Sequence, residues 1–378
     1  MSEPLDFDLG GVVGVRLLDA GPDEQRAVAR QLGPIRKPLT REPDLVLRFV
    51  ERLQDSGTRR FIGLEDAAFD DRAFLLLRGK HKSRAAVQVP FESLGGRCEL
   101  LCERGLAAVP LLVPMINFTA LAKGVLPLHA AAFVHRGRGV LATGWSKGGK
   151  TETLLAFLSR GARYVGDEWT YLTRDGGSMF GIPEPIRVWS WHLDSLPELR
   201  AHLSTAERAR LSMLGLMTGG MGRVTGNGAR HASAATRSMN RVSALLRGQM
   251  CVDLPPERLF PGSVSTANGA GAGTAVPEVL LFVVSCDAPE IRVEPIAPGT
   301  IAARMRASLQ EEDQRLVSCY HKFRFAFPER SNALFERAGE LRAALLDSAL
   351  AGKRAYEVRH PYPVSLPALH EALEKVCG

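Results

Sequence analysis

Residues 128–172 read LHAAAFVHRGRGVLATGWSKGGKTETLLAFLSRGARYVGDEWTYL, and within them Gly144-Trp145-Ser146-Lys147-Gly148-Gly149-Lys150-Thr151 satisfies the pattern G-x-x-x-x-G-K-[ST]. Glycines at those places let the backbone curl so that several N–H groups point inward and cradle a polyphosphate. The Lys150 ammonium neutralises phosphate charge, and the Thr151 hydroxyl is a ligand for Mg²⁺. A helix that starts at the loop adds the favourable end of its dipole. The flanks predict that setting. Val140-Leu141-Ala142-Thr143 is a short apolar run, suited to an entering strand. Leu154, Leu155 and Leu158 recur at helical spacing, and Gly161 follows as a stop. A Gly-rich turn without a ligand shares the local pattern; the strand before it and the helix after it favour the phosphate cradle.

Upstream, Leu126 to His135 predicts a strand, and Arg136-Gly137-Arg138-Gly139 a tight turn into the loop strand. In that hairpin His129 falls near the strand end beside the loop, as a functional group or as a structural histidine. Downstream, Ala162 to Gly166 predicts a third short strand, ending at Asp167-Glu168. Pairing beside the loop strand would bring these acids to the phosphates. One carboxylate could then hold Mg²⁺ and the other accept the proton of an attacking hydroxyl. Adjacent residues on a strand point to opposite faces, so both acids reach one metal only if the strand ends or twists there. The alternative is a solvated pair of turn residues.

The chain has 378 residues, enough for one large or two medium domains, and its 45% hydrophobic and 24% charged content is that of a globular protein. The longest apolar runs, such as Val279 to Val284, are too short to span a bilayer. The start, MSEPLDFDLG, lacks a basic segment followed by an apolar one, which predicts no signal peptide. Six scattered cysteines predict no disulfide framework, and Cys98 to Cys102 reads as a buried strand rather than half a zinc site. A cytoplasmic location fits this composition. The net charge is +7, and the seven arginines between Arg208 and Val252, with no acid among them, equal it. The balanced remainder argues against a nucleic-acid surface.

Residues 1–125 read as a mostly β region: Val12–Leu18, Leu45–Arg52, Ala73–Leu77 and Ala86–Val89 are short apolar or alternating runs. Pro110 to Lys123 predicts a buried helix with Met115, Phe118 and Ala122 inside. Trp169, Trp189 and Trp191 belong either to the core or to a pocket wall. The segment 208–252, rich in Gly and Arg, and the loop 262–275 read as flexible. Arg230, Arg237 and Arg241 are candidates to clamp a phosphate or an acidic substrate, on a lid or on a disordered basic loop. Glu278 to Val284 is a strand. Helices are expected at 300–320 and 331–349, capped by Thr300 and Ser331, and after Ser365.

A strand carrying His129, a Gly turn, G-x-S-x-G-G-K-[ST]-E, a helix ending Arg-Gly, and a short strand ending in two acids together resemble HPr kinase/phosphorylase. The resemblance covers Leu128 to Leu172. It implies a mixed α/β (α+β) fold in which residues 126–378 form a kinase domain of the kind shared with phosphoenolpyruvate carboxykinase, behind the β-rich N-terminal region. It implies ATP and Mg²⁺ as cofactors, bound by the loop from Gly144 to Thr151 and by Glu152. It matches His129 and Asp167 to the family's catalytic histidine and general base, and Glu168 to its second acid, with Thr151, Asp167 and Glu168 around the metal. The second acid is Glu rather than Asp, Trp145 replaces a smaller residue, and the family's downstream loop is not found, so HPr itself is not carried over as substrate. The expected activity is phosphorylation of a hydroxyl on a protein, peptide or small molecule, with homo-oligomerisation left open. The alternatives are a nucleotide-binding scaffold without catalysis and a carboxykinase-like enzyme.

Overall fold

The computed structural model describes residues 3–33, 35–54, 57–63, 66–78, 85–225, 246, 248–263 and 273–378. Eight strands form the first sheet: β1 (Leu5–Leu9), β2 (Val13–Leu18), β3 (Leu45–Val50), β4 (Arg60–Ile62), β5 (Ala67–Phe69), β6 (Phe74–Arg78), β7 (Ala85–Gln88) and β8 (Cys98–Glu103). Their order is β1-β2-β3-β8-β7-β6-β5-β4. The β2–β3 and β3–β8 pairings are parallel and the others antiparallel. Helix α1 (Pro22–Leu32) crosses between β2 and β3, the length of connection a parallel pair needs. Cys98 and Cys102 are buried in β8, as expected of small apolar thiols.

Helix α2 (Leu112–Ala122) leads into the second sheet. It is buried through Leu121, and Ala122, expected inside, is exposed because the helix ends there. The chain continues through β9 (Leu126–His135), β10 (Arg138–Thr143), α3 (Lys150–Leu158), β11 (Arg163–Gly166), β12 (Trp169–Leu172), β13 (Met179–Gly181), β14 (Ile186–Trp189), α4 (Ser190–Ser195), α5 (Thr205–Thr225), β15 (Cys251–Leu254), α6 (Pro256–Leu259), β16 (Pro277–Ser285), β17 (Arg292–Pro295), α7 (Pro298–Ala326), α8 (Ala333–Leu350), β18 (Arg354–His360) and α9 (Leu366–Cys377). The order is β13-β12-β9-β10-β16-β18-β17, with β11 also on β9, and β14 pairs β15 as a separate ribbon. The result is a mixed α/β architecture with two mixed sheets.

Covering both faces of the second sheet explains why β9 and β16 read as continuous apolar runs. Leu128, Ala130 and Ala132 of β9 join one core with Leu280, Met305, Leu346 and residues of the first sheet such as Leu47 and Leu100. Ala131 and Phe133, one residue out of phase, join the other core with Leu154, Phe157 and Leu369. The first core is continuous across both sheets. None of the described helices is long and apolar enough to cross a membrane.

Three sequence expectations are corrected. The segment 208–252 is not flexible at its ends: residues 208–225 lie in α5, where Leu211 and Leu214 are buried, and residues 251–252 in β15, while 226–245 and 247 lie outside the described residues. Of the loop 262–275, residues 264–272 lie outside the described residues; at its far end Ala275 exchanges two backbone hydrogen bonds with Met179. The caps also move. Helix α7 begins at Pro298, whose fixed φ suits a first turn, rather than at Thr300. Helix α8 is capped by Asn332, not Ser331.

Asn332 is buried, accepts the Leu334 N–H (2.9 Å), and donates to the carbonyls of Phe91 (2.7 Å) and Leu94 (2.8 Å), tying α8 to the loop before β8. Asn332→Ala removes a cap and strands two buried carbonyls. The expected destabilisation is about 2–4 kcal/mol, read from urea denaturation. A loss below about 0.5 kcal/mol would contradict this role.

Candidate phosphate-binding site

The loop between β10 and α3 is pressed onto the ends of β16 and β18. A Cβ on Gly144, at φ 153°, would lie 2.4 Å from the Val283 carbonyl oxygen. One on Gly149, at φ 110°, would lie 2.1 Å from His360 Nε2. Only glycine fits either place. His360 donates from Nε2 to the Gly148 carbonyl (2.9 Å), fastening the loop to β18. Lys150 is buried and donates to the carbonyls of Trp145 (2.9 Å) and Gly144 (3.4 Å); burial lowers its pKa.

The acids arrive differently from the expectation. Strand β11 pairs with β9, not with the loop strand β10. Strand β12 continues along the same edge of β9, with Trp169 opposite His129. Between them the chain makes a three-residue turn: Glu168 has φ 61°, and the Trp169 N–H donates to the Asp167 carbonyl (2.7 Å). This left-handed residue breaks the alternation of the strand. Both carboxyl groups therefore line one cavity, of about 590 Å³, together with His129, Lys150, Thr151 and Glu312. Ser146, Lys147, Gly149 and Glu152 line it as well. The Trp145 side chain is exposed.

The neighbours push the pKa values of the two acids in opposite directions. Asp167 is 2% exposed and receives the Thr151 hydroxyl (3.2 Å). Burial, and then the adjacent Glu168 charge, push its pKa up to about 7. Glu168 instead faces His129 Nε2 (3.0 Å), and that hydrogen bond lowers its pKa against the effect of burial. The other nitrogen of His129, Nδ1, meets Glu312 of α7 (2.5 Å). A carboxylate on each ring nitrogen favours the protonated, doubly donating imidazole. Burial opposes that charge, and the bonds to Glu168 and Glu312 outweigh it, raising the pKa. The Trp169 ring stacks on His129 at 5.8 Å.

Glu152, in the first turn of α3, is met by His192 Nε2 (3.3 Å). The Trp189 N–H occupies His192 Nδ1 (3.1 Å), so the ring proton sits on Nε2. This bond overcomes burial and keeps the pKa of Glu152 low. Trp189, Arg187, Tyr362 and Ser285 complete the wall. Of the three tryptophans, Trp189 is thus a wall residue, Trp169 packs against His129 and the core, and Trp191 packs against His192 and Tyr362. Arg230, Arg237 and Arg241 lie outside the described residues. Among the described residues, the arginine that lines the cavity is Arg187 of β14, paired with Asp253 of β15 (2.9 Å).

Sequence reading missed Glu312, His360, His192 and Arg187. Glu312 sits in the run Glu311-Glu312-Asp313, which looks like any solvated helix face. The charged and aromatic run EPIRVWSW was the one available signal for Arg187. No family model matches the chain, and no curated protein matches it.

The set of donors suits a hard divalent ion and a polyphosphate. It offers a hydroxyl, two carboxylates on one turn, and a glycine curl that no Cβ could enter. The raised pKa of Asp167 also carries a stability consequence. Between about pH 4 and pH 7 the folded chain holds a proton that the unfolded chain has released, so the Asp167 contribution falls with rising pH, by up to about 1.4 kcal/mol per pH unit. Asp167→Asn cannot ionise. Its melting temperature in Mg²⁺-free buffer should exceed that of the parent at pH 8, with the gain shrinking toward pH 4. A gain that does not depend on pH would contradict the assignment.

Proposed function

We propose that the protein is an ATP- and Mg²⁺-dependent phosphotransferase that phosphorylates a hydroxyl group. The observation that carries this reading is geometric: the Asp167 and Glu168 carboxyls line one cavity with Lys150 and Thr151 at the glycine curl, and Asp167, buried and one hydrogen bond from the loop hydroxyl of Thr151, has its pKa pushed up by that burial. A general base works best when its pKa lies near the working pH. A residue that only anchored a nucleotide would gain nothing from burial that resists its ionisation.

In this reading the N–H groups of residues 144–151 and Lys150 hold the β- and γ-phosphates. Thr151, Asp167 and Glu168 are the groups that would hold Mg²⁺, which when bound offsets charge on the transferring phosphoryl group. Asp167 takes the proton of the acceptor hydroxyl. The acceptor oxygen forms a bond to the γ-phosphorus as the bond from that phosphorus to the β-bridging oxygen breaks, and ADP leaves. His129, held cationic between Glu168 and Glu312, keeps Glu168 ionised and places positive charge beside the phosphates. Arg187 lines the same wall and offers a guanidinium to phosphate or to an acidic acceptor. The likeness of residues 128–172 to HPr kinase/phosphorylase supports the same chemistry, with a protein or peptide serine or a small alcohol as acceptor.

The test is acceptor-dependent ADP formation, screened over serine, serine peptides and sugars. Lys150→Ala should abolish turnover. Asp167→Asn should lower kcat by roughly 10²–10⁴-fold while ATP still binds. For the parent, kcat/KM should fall as acid protonates Asp167, and the fall should move to lower pH as Mg²⁺ is raised. ATP that binds and stays intact with every acceptor, and equally so in Asp167→Asn, would overturn the assignment in favour of a binding module.

A further inference from the structure

The far end of β9 carries a second group of side chains that phosphate chemistry does not use. His135 closes this strand, six residues and about 20 Å along it from His129. It lies in phase with Ala131 and Phe133, on the face covered by α3 and α9. His370 and Glu374 stand four residues apart on α9 and so project to the same side.

These three side chains converge. His135 Nε2 lies 3.2 Å from Glu374 Oε2, and His370 Nε2 lies 3.1 Å from that same oxygen. The three donor atoms fall within 4.8 Å of one another. Ligands about 2.0–2.1 Å from a tetrahedral ion are separated by about 3.3 Å. Both Nε2 atoms and both oxygens of Glu374 are shielded from solvent, yet none has a hydrogen bond of adequate geometry. They are close enough to bond and not aligned to do so. His135 is 7% exposed, so its bare nitrogen is costly unless something occupies the point at which it aims.

The surroundings orient the set. Phe157 packs against both rings, at 4.9 Å from His135 and 4.7 Å from His370. Arg136 Nη2 stands 2.6 Å from Glu374 Oε1, which leaves Oε2 to the imidazoles.

We propose that His135, His370 and Glu374 form a binding site for a divalent transition-metal ion of the zinc type. Two imidazoles with one carboxylate suit zinc far better than Mg²⁺ or Ca²⁺. The ion ties α9 to the end of the strand that carries His129 at its other end. The site stands apart from the phosphate cavity, and its existence does not depend on the kinase reading.

The experiment uses the full chain without an affinity tag, stripped with a chelator and titrated with Zn²⁺ by calorimetry and against a chromophoric chelator. One ion per chain should bind with micromolar or tighter affinity and raise the melting temperature. His370→Ala and Glu374→Gln should each weaken binding at least ~10-fold and cancel the thermal gain. His370 is the partly exposed member, and far-ultraviolet circular dichroism verifies that its variant folds. The double variant Asp167→Asn/Glu168→Gln should bind Zn²⁺ as the parent does. The proposal is overturned if the parent takes up no Zn²⁺. It is equally overturned if the Asp167/Glu168 variant loses uptake while His370→Ala retains it, which would place the ion at the phosphate site.

Discussion

The arrangement at the candidate site depends on one backbone turn. A strand that continued from β11 into β12 without interruption would aim Asp167 and Glu168 at opposite faces of the sheet. The left-handed conformation of Glu168, closed by the hydrogen bond from Trp169 to Asp167, brings both into one cavity. Such a conformation costs of order 1 kcal/mol or more for a residue with a side chain, and it persists because neighbours fix it. Here β9 fixes it from the side, through the hydrogen bond from the Ala130 N–H to the Glu168 carbonyl. His129 fixes it from the front, through the Glu168 carboxylate.

Once the two acids share a cavity, their surroundings decide what each can do. Glu168 has a cationic partner and is held ionised; Asp167 has a hydroxyl and its neighbour's negative charge, and resists ionisation. Environments that push two carboxyls apart in pKa are how one site supplies a fixed charge and a proton acceptor together. Glu312 is a silent contributor. By holding the far side of His129, it keeps the imidazole charged, and through it Glu168. The helix that carries Glu312 also buries Met305 and Leu309 in the core shared with the first sheet. The N-terminal strands therefore support the site from behind without contributing a side chain to its wall.

The parts legible in the sequence were those with short-range signatures. The run from Leu126 to His135, the glycine turn, and the helix after Gly149 were readable because alternation, turn residues and helical spacing are local. The start of the last helix after Ser365 was readable for the same reason. What could not be read were contacts made by distant chain segments. Glu312 reaches His129 across 183 residues, and His360 reaches Gly148 across 212. Neither residue sits in a pattern that sets it apart from an ordinary helix face or strand end. The same limit explains the misplaced pairing of β11. Sequence gives the strand and its terminal acids, but the choice between β9 and β10 as its neighbour is made by tertiary packing. Asn332 took the cap expected of Ser331 because its amide also satisfies two carbonyls of the loop before β8, a partnership invisible locally.

The most direct test of this account is the ionisation of the two neighbouring carboxyls, followed by NMR on protein labelled with ¹³C at Asp and Glu side-chain carboxyls, without Mg²⁺. Asp167, assigned by its loss in Asp167→Asn, should titrate near pH 7, while Glu168 stays ionised below the usual range for a glutamate. If both groups titrate together near pH 4, as solvated turn residues do, the division of roles between them is wrong.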